Sequence, residues 1–373
     1  MEISWLLNYR GGSYLIPHHG SFERECKVRN VSYQVVADVQ AEAILKEIAD
    51  PSVNMDEMKL QKVPRLAVYA PKNNLPWDDA VTLVLTYAEI PYDVVYDDEV
   101  LDGVLPSYDW LHMHHEDFTG QFGKFWARYR NYPWYQEDVR QQQECAERHG
   151  FSKVSQLKLA VVKKIREFVA GGGYLFAMCS APDSFDIALA ADGLDICDFM
   201  FDGDPIGQNA PKHLNYDNCF AFTGFSVSTN PQEYEVSDID VTARRPQNVN
   251  KSNDFFLLFD FSAKWDPVPT MLTQSHERLI KGFMGQTTAF DKRFVKPTVV
   301  VLGDNEAMGE DRYIHGNFGN GFWTFLGGHD PEDYQHIVGD PPTELDAHPD
   351  SAGYRLILNN ILFPAAKKKQ QKT

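Results

Sequence analysis

Between Ser155 and Ala191 the sequence dictates a helix, a strand and a second helix in close succession, and their junction restricts the fold more than any other stretch. Leu157, Val161, Ile165 and Phe168 recur at three- to four-residue spacing, the period of a helix with one buried face, and Gly171-Gly172-Gly173 ends it. Tyr174–Met178 is then wholly apolar, as a strand covered on both sides must be, and a helix follows over Asp183–Ala191. The join is Ala177-Met178-Cys179-Ser180-Ala181. A chain that turns sharply from strand into helix strains its central residue and leaves room only for small side chains two positions away, which Ala177 and Ala181 supply. Cys179 is therefore expected on a strand-to-helix turn, with the helix amino terminus favouring its thiolate and offering N–H donors to an oxyanion.

The flanking sequence extends this unit into an α/β protein. Arg65–Ala70 and Tyr92–Tyr96 read as strands around an apolar helix over Asp78–Ala88, and Tyr108–His112 as a further strand. Such alternation predicts a mostly parallel sheet with helices on both faces. Ser21–Val28 reads as a helix and Ser32–Ala37 as a strand. Phe255–Phe261, Thr298–Leu302 and Phe322–Leu326 follow one another without long helices, which predicts an antiparallel extension before a final helix over Ser351–Leu362. Polar, Pro- and Asn-rich stretches at about 118–152 and 200–253 read as loop-rich insertions. The expectation is a single domain over 1–364 followed by a basic, solvated tail at 365–373.

Charge and cysteine usage exclude several functions. The 35 basic against 53 acidic residues give a net charge of −18, which repels a phosphate backbone, so nucleic acid is not an expected partner. No apolar run reaches the length of a membrane span, and the protein is expected to be soluble. Five cysteines without a C-x-x-C pair signal neither a disulfide framework nor a zinc ribbon, which fits a reducing, cytoplasmic compartment. An export signal preceding Met1 would reverse that assignment. A small-molecule ligand is the expected partner, and the cofactor is left open.

Polar candidates gather at the expected carboxyl edge of the sheet, where open α/β sheets bind ligands. The strand ending at His112 runs into His114, His115, Glu116 and Asp117. Strand alternation would send His112 and His114 to one face and His115 to the other, so the three could share a metal only across a turn. His329, Glu332 and His336 would share a helical face if Pro331 began a helix. With no H-E-x-x-H motif, the expectation is a polar pocket without metal, against the alternative of a metal held by both clusters.

Two resemblances add to this reading. GGGYLFAMCSA, Gly171 to Ala181, resembles the nucleophile turn of class I glutamine amidotransferase-like domains, a flavodoxin-like superfamily that includes the ThuA-like proteins of sugar utilisation. GFWTFLGGHDPE, Gly321 to Glu332, is similar to the strand that ends in that family's His-x-Glu. The resemblance implies a flavodoxin-like fold in which Cys179 is the nucleophile, His329 its base and Glu332 the group orienting it. Glu332 stands three residues after His329 rather than two, and Asp330 competes for its role. His114, His115, Glu116, Asp117, Ser180 and Asp330 would line the binding pocket. The Gly-Gln pair that follows the cysteine in glutamine-using members is replaced by Pro182-Asp183.

WLLNYRGGS from Trp5 and YDWLHMHHEDFTGQFGK from Tyr108 also resemble bacterial proteins labelled asparagine synthetase B. Glutamine-dependent asparagine synthetases need Cys at residue 2, where Glu2 stands. The implied activity is cysteine-dependent hydrolysis or transfer of a small amide or related acyl group. Its alternatives are a non-catalytic, ThuA-like carbohydrate or small-molecule binder and a metal-dependent hydrolase.

Overall fold

A strand exists only where another pairs with it, and pairing sets this architecture. The computed structural model describes residues 3–73 and 75–372. Their contacts divide the chain into two compact units, 1–64 with 259–278 and 355–373, and 65–258 with 279–354, in place of the single domain expected. Hydrogen bonds between distant segments, such as Asn54 Nδ2 to the Phe261 carbonyl at 2.9 Å, build the first unit, and no local pattern announces them.

The first unit holds an antiparallel sheet of β1 (Ile3–Leu7), β2 (Ser13–Leu15) and β3 (Asp56–Leu60), in the order β2-β1-β3, with helices α1 (Gly20–Val28) and α2 (Asp38–Ala49). The strand expected at Ser32–Ala37 does not form; its Tyr33 and Val35 are exposed and no strand pairs with the segment. The basic tail is not simply solvated either. Lys367 donates its N–H to the Lys59 carbonyl at 2.8 Å, and Lys372 Nζ reaches the carbonyls of Ile48 and Met55 at 2.6 and 2.8 Å.

The second unit carries a ten-stranded sheet. Its strands are β4 (Leu66–Tyr69), β5 (Asp93–Val95), β6 (Trp110–Met113), β7 (Tyr174–Met178), β8 (Phe255–Leu258), β9 (Leu279–Lys281), β10 (Phe290–Asp291), β11 (Val300–Asn305), β12 (Glu310–Phe318) and β13 (Gly321–Leu326). The order is β5-β4-β6-β7-β13-β12-β11-β8-β9, with β10 on β12. Pairing is parallel from β5 to β13 and antiparallel beyond, so the expected antiparallel extension makes up half of the strands of the sheet.

Period-two alternation sends Ala67, Tyr69, Leu111, Met113, Leu175 and Ala177 into one buried cluster with Val161, Ile165 and Phe168 of α7 (Val154–Gly171) and Phe185 of α8 (Ala181–Ala190). The opposite face carries Trp110, His112 and Phe176, whose rings meet at 5.5–6.0 Å. There His112 contacts Asp79, the N-cap of α3 (Ala80–Tyr87). The expected insertions contribute α5 (Trp126–Tyr129) and α6 (Pro133–Arg148), and α4 (Asp97–Leu101) follows β5. Among the described residues no helix is long and apolar enough to cross a membrane.

Candidate functional site

Cys179 lies between β7 and α8 with φ of +54°. A left-handed backbone costs a non-glycine residue about 1–2 kcal/mol and persists only where neighbours over-determine it. Here the neighbours are specific. The Cys179 N–H donates to the Gly328 carbonyl at 3.1 Å and the Ala181 N–H to the His114 carbonyl at 3.0 Å, so the turn is pinned to both loops that carry histidines. The sulfur accepts the Gln286 N–H at 3.3 Å, with the Ser180 and Thr287 N–H groups also favouring its ionised form. Burial outweighs them and pushes the thiol up to about 12. Burial thus opposes the activation expected of the helix terminus.

His329 follows β13 through Gly327 and Gly328. Gly328 has φ of +97°, and a Cβ there would stand 2.3 Å from the Phe283 ring, so only glycine lets the chain turn at this point. The His329 ring is fully buried and stacks on His114 at 4.3 Å, His115 at 4.7 Å and His336 at 3.3 Å between centroids. Neither of its nitrogens has a hydrogen-bond partner among the described residues, Cys179 included.

The orienting role expected of Glu332 is absent. Its carboxylate pairs with Lys281 at 3.2 Å and His348 at 3.3 Å. Asp330 accepts the Tyr354 hydroxyl at 2.7 Å and the Glu332 N–H at 2.8 Å. The physical reason is local: no helix starts at Pro331, and 327–344 is turn and loop.

The alternation argument also fails for His115. β6 ends at Met113, and beyond it the His114 and His115 rings stack at 4.3 Å with 4° between their planes. Asp117 builds its own turn, accepting the Thr119 N–H at 2.7 Å and the Gly123 N–H at 2.9 Å. Glu116 is buried, and burial pushes its carboxyl up to about 8. The Ser180 hydroxyl is buried without a partner.

Three groups of potential ligands overlap here, each with its donor atoms within 4.8 Å of one another: His114, His115 and His329; Asp78, His329 and His336; and Asp79, His112 and His114. Burial lowers the His115 and His329 imidazoles well below their usual value, and the neighbouring His114 adds to the effect. Neutral imidazoles are the form that ligates a metal. Asp78 Oδ2 and His114 Nε2 are likewise buried with no hydrogen-bond partner. Buried polar groups are ordinarily satisfied, so these atoms are placed to meet a bound ion or ligand.

Sequence reasoning did not single out Asp78 or Asp79. The available signal was an acidic pair directly before an apolar helix, the N-cap position. A cavity of about 370 Å³ opens elsewhere, lined by Val100, Leu105, Tyr108, Phe168 and Gly171–Gly173 before β7. It contains none of these histidines.

No protein-family model and no curated protein matches the chain. Among solved structures it is similar to the cytoplasmic protein STM1381 from Salmonella typhimurium LT2, with a TM-score of 0.39 and 11% identity over 81% of this chain and 99% of that one. It is also similar to the cytoplasmic protein STM3548 from Salmonella typhimurium, at 0.37 and 10% over 82% and 100%. A GH42 β-galactosidase, Gan42B from G. stearothermophilus, matches at 0.32 and 12%, over 72% of this chain and 28% of its own. Likenesses this faint carry no argument about activity.

Proposed function

We propose that this chain is a metal-dependent hydrolase of a small amide or ester, built on a flavodoxin-like core. The strand order β5-β4-β6-β7-β13 supports the core assignment, because counted along the chain its parallel strands run 2-1-3-4-5. One observation carries the activity: the buried His114 Nε2 and both ring nitrogens of His329 converge with His115, His336 and Asp78 at the carboxyl edge and have no hydrogen-bond partner among the described residues.

Leaving such a nitrogen unsatisfied costs about 1–3 kcal/mol, and a bound cation would remove that cost. A metal in this position supplies a Lewis acid and an activated water. In the hydrolysis the hydroxyl of water bonds to the acyl carbon, the acyl bond to the leaving group breaks, and the proton passes to the leaving group. Asp78 and His336 adjoin His329 and are placed to carry that proton.

The test is the metal content of the chain after purification in zinc-supplemented buffer, combined with a screen of activated esters and small amides before and after chelation. Activity lost on chelation and restored by metal is the expected result. A metal-free chain, or activity indifferent to chelation, overturns it.

A second reading, a Cys179 hydrolase of the class I amidotransferase-like kind, is favoured by the strained turn and by the N–H groups around the sulfur. It requires fast alkylation of Cys179 by iodoacetamide near pH 7. Labelling slower than that of a free thiol, which burial of the sulfur predicts, eliminates it.

A further inference from the structure

The overlapping ligand groups do not have equal atoms to offer. His112 is fully committed: Nδ1 lies 3.2 Å from the Phe176 carbonyl and Nε2 lies 3.2 Å from Asp79 Oδ2. Asp79 is equally fixed. Its Oδ1 caps α3 by accepting the N–H groups of Val81 and Thr82 at 2.7 and 3.0 Å, and the same oxygen stands 3.2 Å from His114 Nδ1. His114 thus presents one nitrogen to a carboxylate and keeps Nε2 without a partner, beside His115 and His329.

An imidazole backed by a carboxylate at one nitrogen and open at the other is how proteins orient a metal-ligating histidine. The remaining set of His114, His115 and His329 is nitrogen-rich. Calcium and magnesium prefer oxygen ligands, whereas imidazole suits zinc and its neighbours in the first transition row.

Resting on the metal reading above, we infer that the site binds a single zinc-class transition-metal ion through His114 Nε2, His115 and His329. In this arrangement Asp79 is a positioning residue that orients His114, and His112 braces Asp79. The group of Asp79, His112 and His114 is then a support rather than a second metal site. Asp79 couples the start of α3 to the site, so the helix cap and the ligand geometry depend on one carboxylate.

The experiment titrates cobalt(II) into the full chain, following the visible ligand-field spectrum, and measures zinc affinity by competition with a chromophoric chelator. Wild type is expected to bind one equivalent and to prefer zinc over magnesium. Asp79→Asn, which can still cap the helix, is expected to bind zinc about 10–100-fold more weakly with an altered cobalt spectrum, while its melting temperature stays near wild type. Asp79→Ser, another capping residue, should show the same loss, which guards against one variant folding poorly. Wild-type affinity and spectrum in both variants overturn the role of Asp79 and leave the metal reading standing. Failure of the wild type to bind cobalt or zinc overturns the metal reading itself, and two equivalents, or a preference for magnesium, overturns the single zinc-class ion.

Discussion

Two of the buried polar clusters of the second unit differ in a way that separates scaffold from site. In the antiparallel half Arg245, Asp254, Glu310 and Arg312 form a closed network. Asp254 takes both guanidinium groups at 2.7–2.8 Å, Arg245 also reaches Glu310 at 2.9 Å, and Arg312 Nη1 donates to the Phe283 and Thr288 carbonyls at 3.3 Å. At the carboxyl edge of the parallel half the histidines stack on one another with nitrogens left over. Charges that are mutually satisfied specify a fold. Neutral groups that are crowded together and unsatisfied are arranged for something other than themselves.

Substitutions test this contrast most directly in the closed network. Asp254→Ala strands two buried guanidinium groups and should cost about 3–5 kcal/mol, measured as a shift in urea denaturation. A cost below about 1 kcal/mol would mean the network is not structural.

His329→Ala offers the opposite outcome. Removing its ring leaves space, yet it also removes two unsatisfied nitrogens, so stability should change by less than about 2 kcal/mol while metal binding is lost. A loss as large as that of Asp254→Ala would place the histidines with the scaffold and remove the contrast.

The smallest effect is with pH. Burial pushes the Asp254 carboxyl up, but Arg245 and Arg312 outweigh it and hold the group below its usual range. Because the folded value is the lower one, this stabilisation is fully present above the unfolded carboxylate value of about 3.9 and is lost as pH falls through the folded value. The stability difference between wild type and Asp254→Asn should therefore hold from neutrality to about pH 5 and shrink below about pH 4. A difference that grows on acidification would contradict the pairing.

The same contrast explains which parts were legible in the sequence. Helix α7, strand β7 and helix α8 were readable within a residue or two, because hydrophobic period and glycine punctuation are local signals. β12 was not, since it opens with Glu310-Asp311-Arg312 and reads as polar surface, yet all three are buried. Of their partners, Arg245 belongs to the polar region read as a loop-rich insertion and Asp254 stands just past its end. Ser32–Ala37 failed in the other direction, with strand-like residues but no pairing edge.

For the site, sequence alone determined that Cys179 lies on a strand-to-helix turn and that His114, His115 and His329 are available as ligands. Small residues around a sharp turn and histidines at strand ends are visible one element at a time. Only the tertiary structure decided that the histidines meet each other, that Glu332 turns to Lys281 and His348, and that Asp79 reaches back from α3 to His114. Parallel strands place their carboxyl ends side by side however far apart they are in sequence, so loops after β6 and β13 converge through a pairing order that no local pattern encodes.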